Sequence, residues 1–215
     1  MPFPLIPVII AVATTLVGGS IVAATIYSFN NADVGEKTDV TILFIGETEA
    51  GKDTVMELIK TGEFLNEKSR KTPKYEAIKT TVKNKTIKII NTSGSDSTFE
   101  DTEEAKNLYH NIRCYIFDAS KFYKGENIII KLFPRKLFPR LRKKQNRIKL
   151  GIQNTIDECK EKNIKCISLG TRGDKVNKEK IENEVRSMGI DCSIFELSKK
   201  PQEQVIEFLF KEYLW

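Results

Sequence analysis

Apolar and polar positions change period in an ordered way along most of the chain. The run VTILFI at residues 40–45 is short, aliphatic and bounded by Gly46, the pattern of a buried strand. Beyond a glycine-containing loop, Val55, Met56, Leu58 and Ile59 recur at helical spacing within 53–60. Residues 75–83 and 86–90 are rich in Thr and Ile and flank Asn84-Lys85, which predicts a hairpin. Further on, the pattern predicts a helix at 101–111, a strand at 113–117, a helix at 148–162, a strand at 166–169, a helix at 178–188 and a strand at 194–197. A closing helix at 202–213 turns Val205, Ile206, Phe208 and Leu209 inward. This alternation predicts an α/β domain whose mostly parallel sheet is covered by helices on both faces, with one antiparallel edge.

The first 32 residues carry no Asp, Glu, Lys or Arg. Within them 5–29 read LIPVIIAVATTLVGGSIVAATIYSF, 25 residues, which as a helix at about 1.5 Å per residue exceed the roughly 30 Å hydrocarbon core of a bilayer. A cleaved signal peptide has an apolar region of about 7–15 residues behind basic ones; this stretch is longer and no Lys or Arg precedes it. The expectation is therefore a transmembrane helix at 5–29, against the alternatives of a signal or a buried helix. A polar linker follows at 30–38 and a folded domain at 39–215. Charge leaves the polarity open, because only the amino terminus precedes the span while Asp33, Glu36 and Lys37 follow it.

Composition narrows the classes. A chain of 215 residues with 40% hydrophobic positions is long enough for one domain with a real core. Cys114, Cys159, Cys166 and Cys192 are widely spaced without CxxC, and His110 is the only histidine, which argues against a disulfide framework or a zinc site and for buried free thiols. The net charge is +6, yet nine Lys or Arg and no acid lie between Asn127 and Leu150, so the rest of the chain stands at −3. This basic insertion, at about 124–149, holds Leu-Phe-Pro-Arg twice, at 132–135 and 137–140. Cations mixed with bulky apolar side chains over 131–149 suit an anionic membrane surface. Nucleic acid is the weaker candidate, and a solvated insertion is the bland one.

Gly46, Glu47, Thr48, Glu49, Ala50, Gly51 and Lys52 fit G-x-x-x-x-G-K between an expected strand and an expected helix. Backbone N–H groups in such a loop cradle phosphates, glycine permits close approach, and the lysine neutralises charge at the β and γ positions. Asp53 stands where Ser or Thr offers a hydroxyl to Mg²⁺, with Thr54 one place further on. An incidental glycine turn is the alternative.

With the loop placed, the chain from about 39 to 215 resembles a Ras-like or Arf-like small GTPase, a P-loop NTPase with a three-layer α/β/α fold. Thr72, 20 residues after Lys52, suits the first switch threonine, with Thr80 and Thr81 as alternatives. Asn91-Thr92-Ser93-Gly94 stands where the family has Asp-x-x-Gly, and Gly94 would present its N–H to the γ-phosphate. Thr171-Arg172-Gly173-Asp174 resembles Thr-Lys-x-Asp; Asp174 would accept from guanine N1–H and its amine, and the Arg172 plane would cover the base. Glu196-Leu197-Ser198-Lys199-Lys200 looks like the loop that contacts guanine O6. The layout is also similar to bacterial GTPase-domain proteins on a single N-terminal span. The resemblance implies GTP and GDP as ligands, Mg²⁺ as cofactor, an unidentified protein effector and a cytosolic domain on a single-pass membrane anchor.

Both metal positions depart from the family. Asn91 replaces a carboxylate and Asp53 replaces a hydroxyl, a pair that reads as compensatory. The glutamine that orients water after Asp-x-x-Gly is absent, Ser95 and Asp96 following Gly94. Slow or partner-dependent hydrolysis is expected, with a non-catalytic interaction module as the alternative.

Overall fold

The structure is a computed structural model that describes residues 30–33, 35–64, 75–82, 84–92, 108, 110–123 and 147–214. The expected span at 5–29, Thr72, Gly94, nearly all of the expected helix at 101–111 and the insertion up to 146 lie outside the described residues.

Six strands form a mostly parallel sheet: β2 (Val40–Ile45), β3 (Tyr75–Val82), β4 (Lys85–Thr92), β5 (Ile112–Asp118), β6 (Lys165–Thr171) and β7 (Asp191–Ile194). A two-residue strand, β1 (Asn30–Asn31), extends it, in the order β1-β3-β4-β2-β5-β6-β7. Only β3 runs against its neighbours, pairing with both β1 and β4 antiparallel. The central strands β2 and β5 are buried on both faces, as continuous apolar runs require. The helices are α1 (Lys52–Thr61), α2 (Arg147–Lys162), α3 (Lys178–Ser187) and α4 (Gln202–Leu214).

Two cores lie on opposite faces. Val55, Met56, Leu58 and Ile59 of α1 join Val205, Ile206, Leu209 and Phe210 of α4 over one face. Ile148, Ile152 and Ile156 of α2 join Ile181 and Val185 of α3 over the other. Each such side chain contributes about 1.5–3 kcal/mol on burial, so the helices are held by their apolar stripes. Local signals set their ends: α1 stops at Gly62, whose left-handed backbone donates its N–H to Leu58 O, and Asn177 caps α3 by accepting from Lys180 N.

Several expectations need correction. Strand β7 sits three residues earlier than 194–197, because Leu197 belongs to a short 3-10 turn and is buried beside α1 and α4. Phe208 does turn inward, half-buried against the core and edge-on to Phe195, but Phe210, outside the expected set, is the fully buried aromatic of α4. At the end of the expected 101–111 helix, Asn111 instead donates its N–H to Thr41 O and accepts from Thr41 N. Residues 147–149 are the first turn of α2 rather than insertion, with Lys149 over the rings of Phe122 and Tyr123. The expected linker at 30–38 is paired to the sheet through β1. All four cysteines are free, three of them buried and Cys166 half-buried.

Candidate phosphate and base-binding site

In the sheet order β4-β2-β5-β6, the chain leaves β2 toward β3 and β4 on one side and leaves β5 toward β6 on the other, and the C-terminal ends of these parallel strands share one edge. A topological switch point of this kind is where open α/β sheets bind ligands. The loop 46–51 leaves β2 there. Gly46 is pressed against β5: a Cβ at this position would stand 2.0 Å from Ile116 O. The loop then curls, with Ala50 N donating to Glu47 O and with Glu49 and Gly51 both left-handed at φ 61 and 93. Gly51 is the N-cap of α1 and offers no side chain to its first N–H groups, which leaves them and the helix dipole to an outside anion.

Lys52 is 4% exposed. Its Nζ donates to Gly46 O at 2.8 Å and to Glu47 O at 3.0 Å, folding the ammonium back over the loop. Burial lowers its pKa to about 8, against the raising fields of Asp53 and Glu47. The lysine is thus a largely charged group poorly solvated by water, held by two carbonyls that phosphate oxygens can replace. Glu47, Thr48 and Glu49 are exposed, and Thr54 is half-buried in the first turn of α1. Glu49 lies 3.9 Å from Lys121.

Across the mouth, Asn91 near the end of β4 is fully buried and its Nδ2 donates to Asp53 Oδ1 at 2.7 Å. Its Oδ1 has no hydrogen-bond partner among the described residues. A buried amide oxygen left unpaired beside a carboxylate is a donor set that fits a hard cation or a water on one. No group of three or more His, Cys, Asp or Glu suited to a metal occurs among the described residues, so protein oxygens alone do not form a full cage.

The residues expected to contact a base lie at the end of β6. Thr171 Oγ1 donates to Ala50 O at 2.9 Å, tying the two loops together across 121 residues of sequence. Arg172 is left-handed at φ 56, and its Nη1 lies 3.0 Å from Asp118 Oδ2. Asp118 is 3% exposed and its Oδ1 accepts from Ser120 N and Ser120 Oγ, which orients the carboxylate. Gly173 N donates to Phe195 O, and Phe195 N to Gly170 O, so the loop carrying exposed Asp174 is joined to the segment that leads to exposed Ser198 and Lys199. Lys199 pairs with Glu196 at 2.8 Å, which raises the lysine pKa, and Asp174 adds to the shift.

Residues 46–54, Asn91, 171–174 and 196–199 therefore sit at one end of the domain. Thr80 and Thr81 do not reach it: they lie in the far half of β3, opposite Ile87 and Thr86. Asp118 and Lys121 were missed by motif spacing, since an acid closing an apolar strand is their only sequence signal. A shallow depression open to solvent, lined by Glu47, Thr48, Ala50, Phe117, Asp118, Lys121 and Ile148, adjoins the loop. A phosphate entering the loop would take over the carbonyl contacts of Lys52. Neither a family model nor a curated protein matches the chain, and the reading of this end rests on its own geometry.

Proposed function

We propose that this chain is a membrane-anchored guanine-nucleotide-binding protein with a Ras-like P-loop domain on the cytosolic side. The observation that carries the reading is the uncapped start of α1 beside buried Lys52, in a loop that Thr171 joins to Arg172 and Asp174. A ligand spanning both must be an anion at one end and a hydrogen-bonding ring at the other. In this reading the N–H groups of 48–52 and the Lys52 ammonium hold the phosphates. Arg172, kept in place by Asp118, covers the base. Asp174 accepts from guanine N1–H and its amine, a pairing adenine does not offer. Ser198 and Lys199 line the O6 side.

Mg²⁺, bound with the nucleotide, supplies neutralisation of charge on the phosphates, and Asp53 with the orphaned Asn91 oxygen are the residues that would hold it. The same pair favours a second reading. Because Asn91 already engages Asp53, the domain also suits a non-catalytic module that binds nucleotide and holds an effector at the membrane. Fluorescent GDP titrated against the full chain in nanodiscs tests the first reading. Saturable binding lost in Lys52→Ala is the expected result, and no binding of GDP or GTP ends it. Phosphate release above the Lys52→Ala background then separates an enzyme from a module.

A further inference from the structure

We infer that Cys159 and Cys166 are a peroxide-sensitive dithiol, a site at which a hydroperoxide closes a reversible disulfide between the end of α2 and the start of β6. The inference is independent of the nucleotide reading. Alternation along the strands brings the two residues together. On β5, Ile112, Cys114 and Ile116 enter the core under α1 and α4, so Arg113, Tyr115 and Phe117 lie on the α2 side. Cys166 stands opposite Arg113 in the β5–β6 register and packs on that same side, while Ile167 and Leu169 take the other face. On the helix, buried Cys159 continues the stripe of Ile148, Ile152 and Ile156, which lays it over these strands. Arg113 joins the pair independently: it neighbours Cys166 in the sheet, and its Nη1 donates to Glu158, the residue before Cys159. The two thiols share a hydrogen bond.

The surroundings favour a thiolate on one sulfur of the pair. The hydrogen bond from Cys166, and then the Arg113 charge, lower the pKa of the Cys159 thiol against the effect of burial, while that of Cys166 rises because it holds the shared proton. Arg113 is 1% exposed and its Nη2 has no hydrogen-bond partner among the described residues, so Glu158 satisfies this cation only in part. The other two cysteines differ. Burial pushes the thiols of Cys114 and Cys192 up, the latter to about 12, and Cys114 lies on the opposite face of the sheet. Cys159 is buried and Cys166 half-buried, which limits the oxidant to a molecule close to water in size. The Cys159 thiolate attacks one oxygen of hydrogen peroxide, the O–O bond breaks, and the departing hydroxide takes up the proton that Cys159 released. The Cys166 sulfur then attacks the Cys159 sulfenic acid, the S–O bond breaks, and the Cys166 proton leaves in a second water. Two thiols are oxidised by two electrons and one peroxide is reduced to two waters. A thiol reductant reverses the bond, as suits a sensor in a reducing compartment.

The test exposes the full reduced chain, folded, to hydrogen peroxide, then alkylates it in urea and digests it with trypsin. Lys160 and Lys165 separate the two cysteines, so the expected product is peptide 150–160 joined to peptide 166–172, lighter by two hydrogens than their sum. It should account for most of the oxidised chain and vanish on treatment with dithiothreitol. Links through Cys114 or Cys192 in equal amount, oxidation of Cys159 to the sulfinic acid without a link, or four thiols that all remain alkylatable would each overturn the site. A second variant leaves every cysteine in place: Glu158→Gln, which removes the carboxylate offsetting Arg113, should speed formation of the 159–166 link several-fold. A rate equal to the parent's or slower overturns the activation by Arg113.

Discussion

The amide of Asn91 donates to the carboxylate of Asp53 at 2.7 Å, joining β4 to the first turn of α1. A carboxylate only accepts, so Nδ2 must face it and the buried Oδ1 is left unpaired. Asn91→Asp would set two carboxylates in contact, a repulsion of about 4 kcal/mol at 4 Å before relaxation. One of them would respond with a raised pKa, so stability would be retained at acid pH and lost as pH rises through that value. Thermal melts should show Asn91→Asp below the parent near neutral pH, the gap closing on acidification or with added Mg²⁺. Asp53→Thr in the same chain should remove the gap. A neutral-pH melt unchanged by Asn91→Asp would show that the pair is not in contact.

Lys52 should give the site a basic limb. Its folded pKa of about 8 lies below the ordinary 10.5, so between these values the unfolded chain binds more protons and stability rises with pH. Lys52→Met should lack that rise. Phosphate would raise the lysine pKa again, so GDP affinity should decline as pH climbs past about 8. Loss of the charged hydrogen bonds, about 1.5–3 kcal/mol, should weaken GDP binding in Lys52→Met by roughly 10–100-fold. A pH-independent GDP affinity in the parent chain would remove Lys52 from the phosphate contacts.

Gly46→Ala should unfold or severely weaken the domain. Its Cβ would lie 2.0 Å from a backbone oxygen of β5, and neither strand can yield alone. A cost of about 3 kcal/mol or more is expected from such overpacking, read as the urea midpoint. A near-parental midpoint would mean that the loop does not rest on Ile116.

Asp174→Ala should change base choice without abolishing phosphate binding. The carboxylate is exposed and placed by the Gly173–Phe195 hydrogen bond, so its removal leaves the loop backbone in place. GDP should lose its preference over inosine diphosphate, which lacks the exocyclic amine, with affinities converging to within about 2-fold. A preserved preference would assign guanine selection to other groups.

The strand-loop-helix unit at 40–61 and the helical stripes were legible because they are local: apolar period, glycine and caps are written in adjacent residues. Positions at element ends slipped where tertiary packing outbid local pattern, as at Leu197, which left the expected last strand to fill the core under α1 and α4. Asn111, expected in a helix, was captured by the backbone of Thr41 through contacts 70 residues apart.

The sequence alone determined the α/β class, the loop at 46–52, the uncharged 5–29 and the absence of a CxxC among the four cysteines, since each depends on residue type and short-range spacing. Only the tertiary structure decided that Asn91 meets Asp53, that Asp118 holds Arg172, that Thr171 ties the loop after β6 to the loop after β2 and that Asn30 and Asn31 pair with β3. These contacts join residues tens of positions apart, and no local period encodes which strand edge or loop will stand opposite another once the sheet has ordered itself.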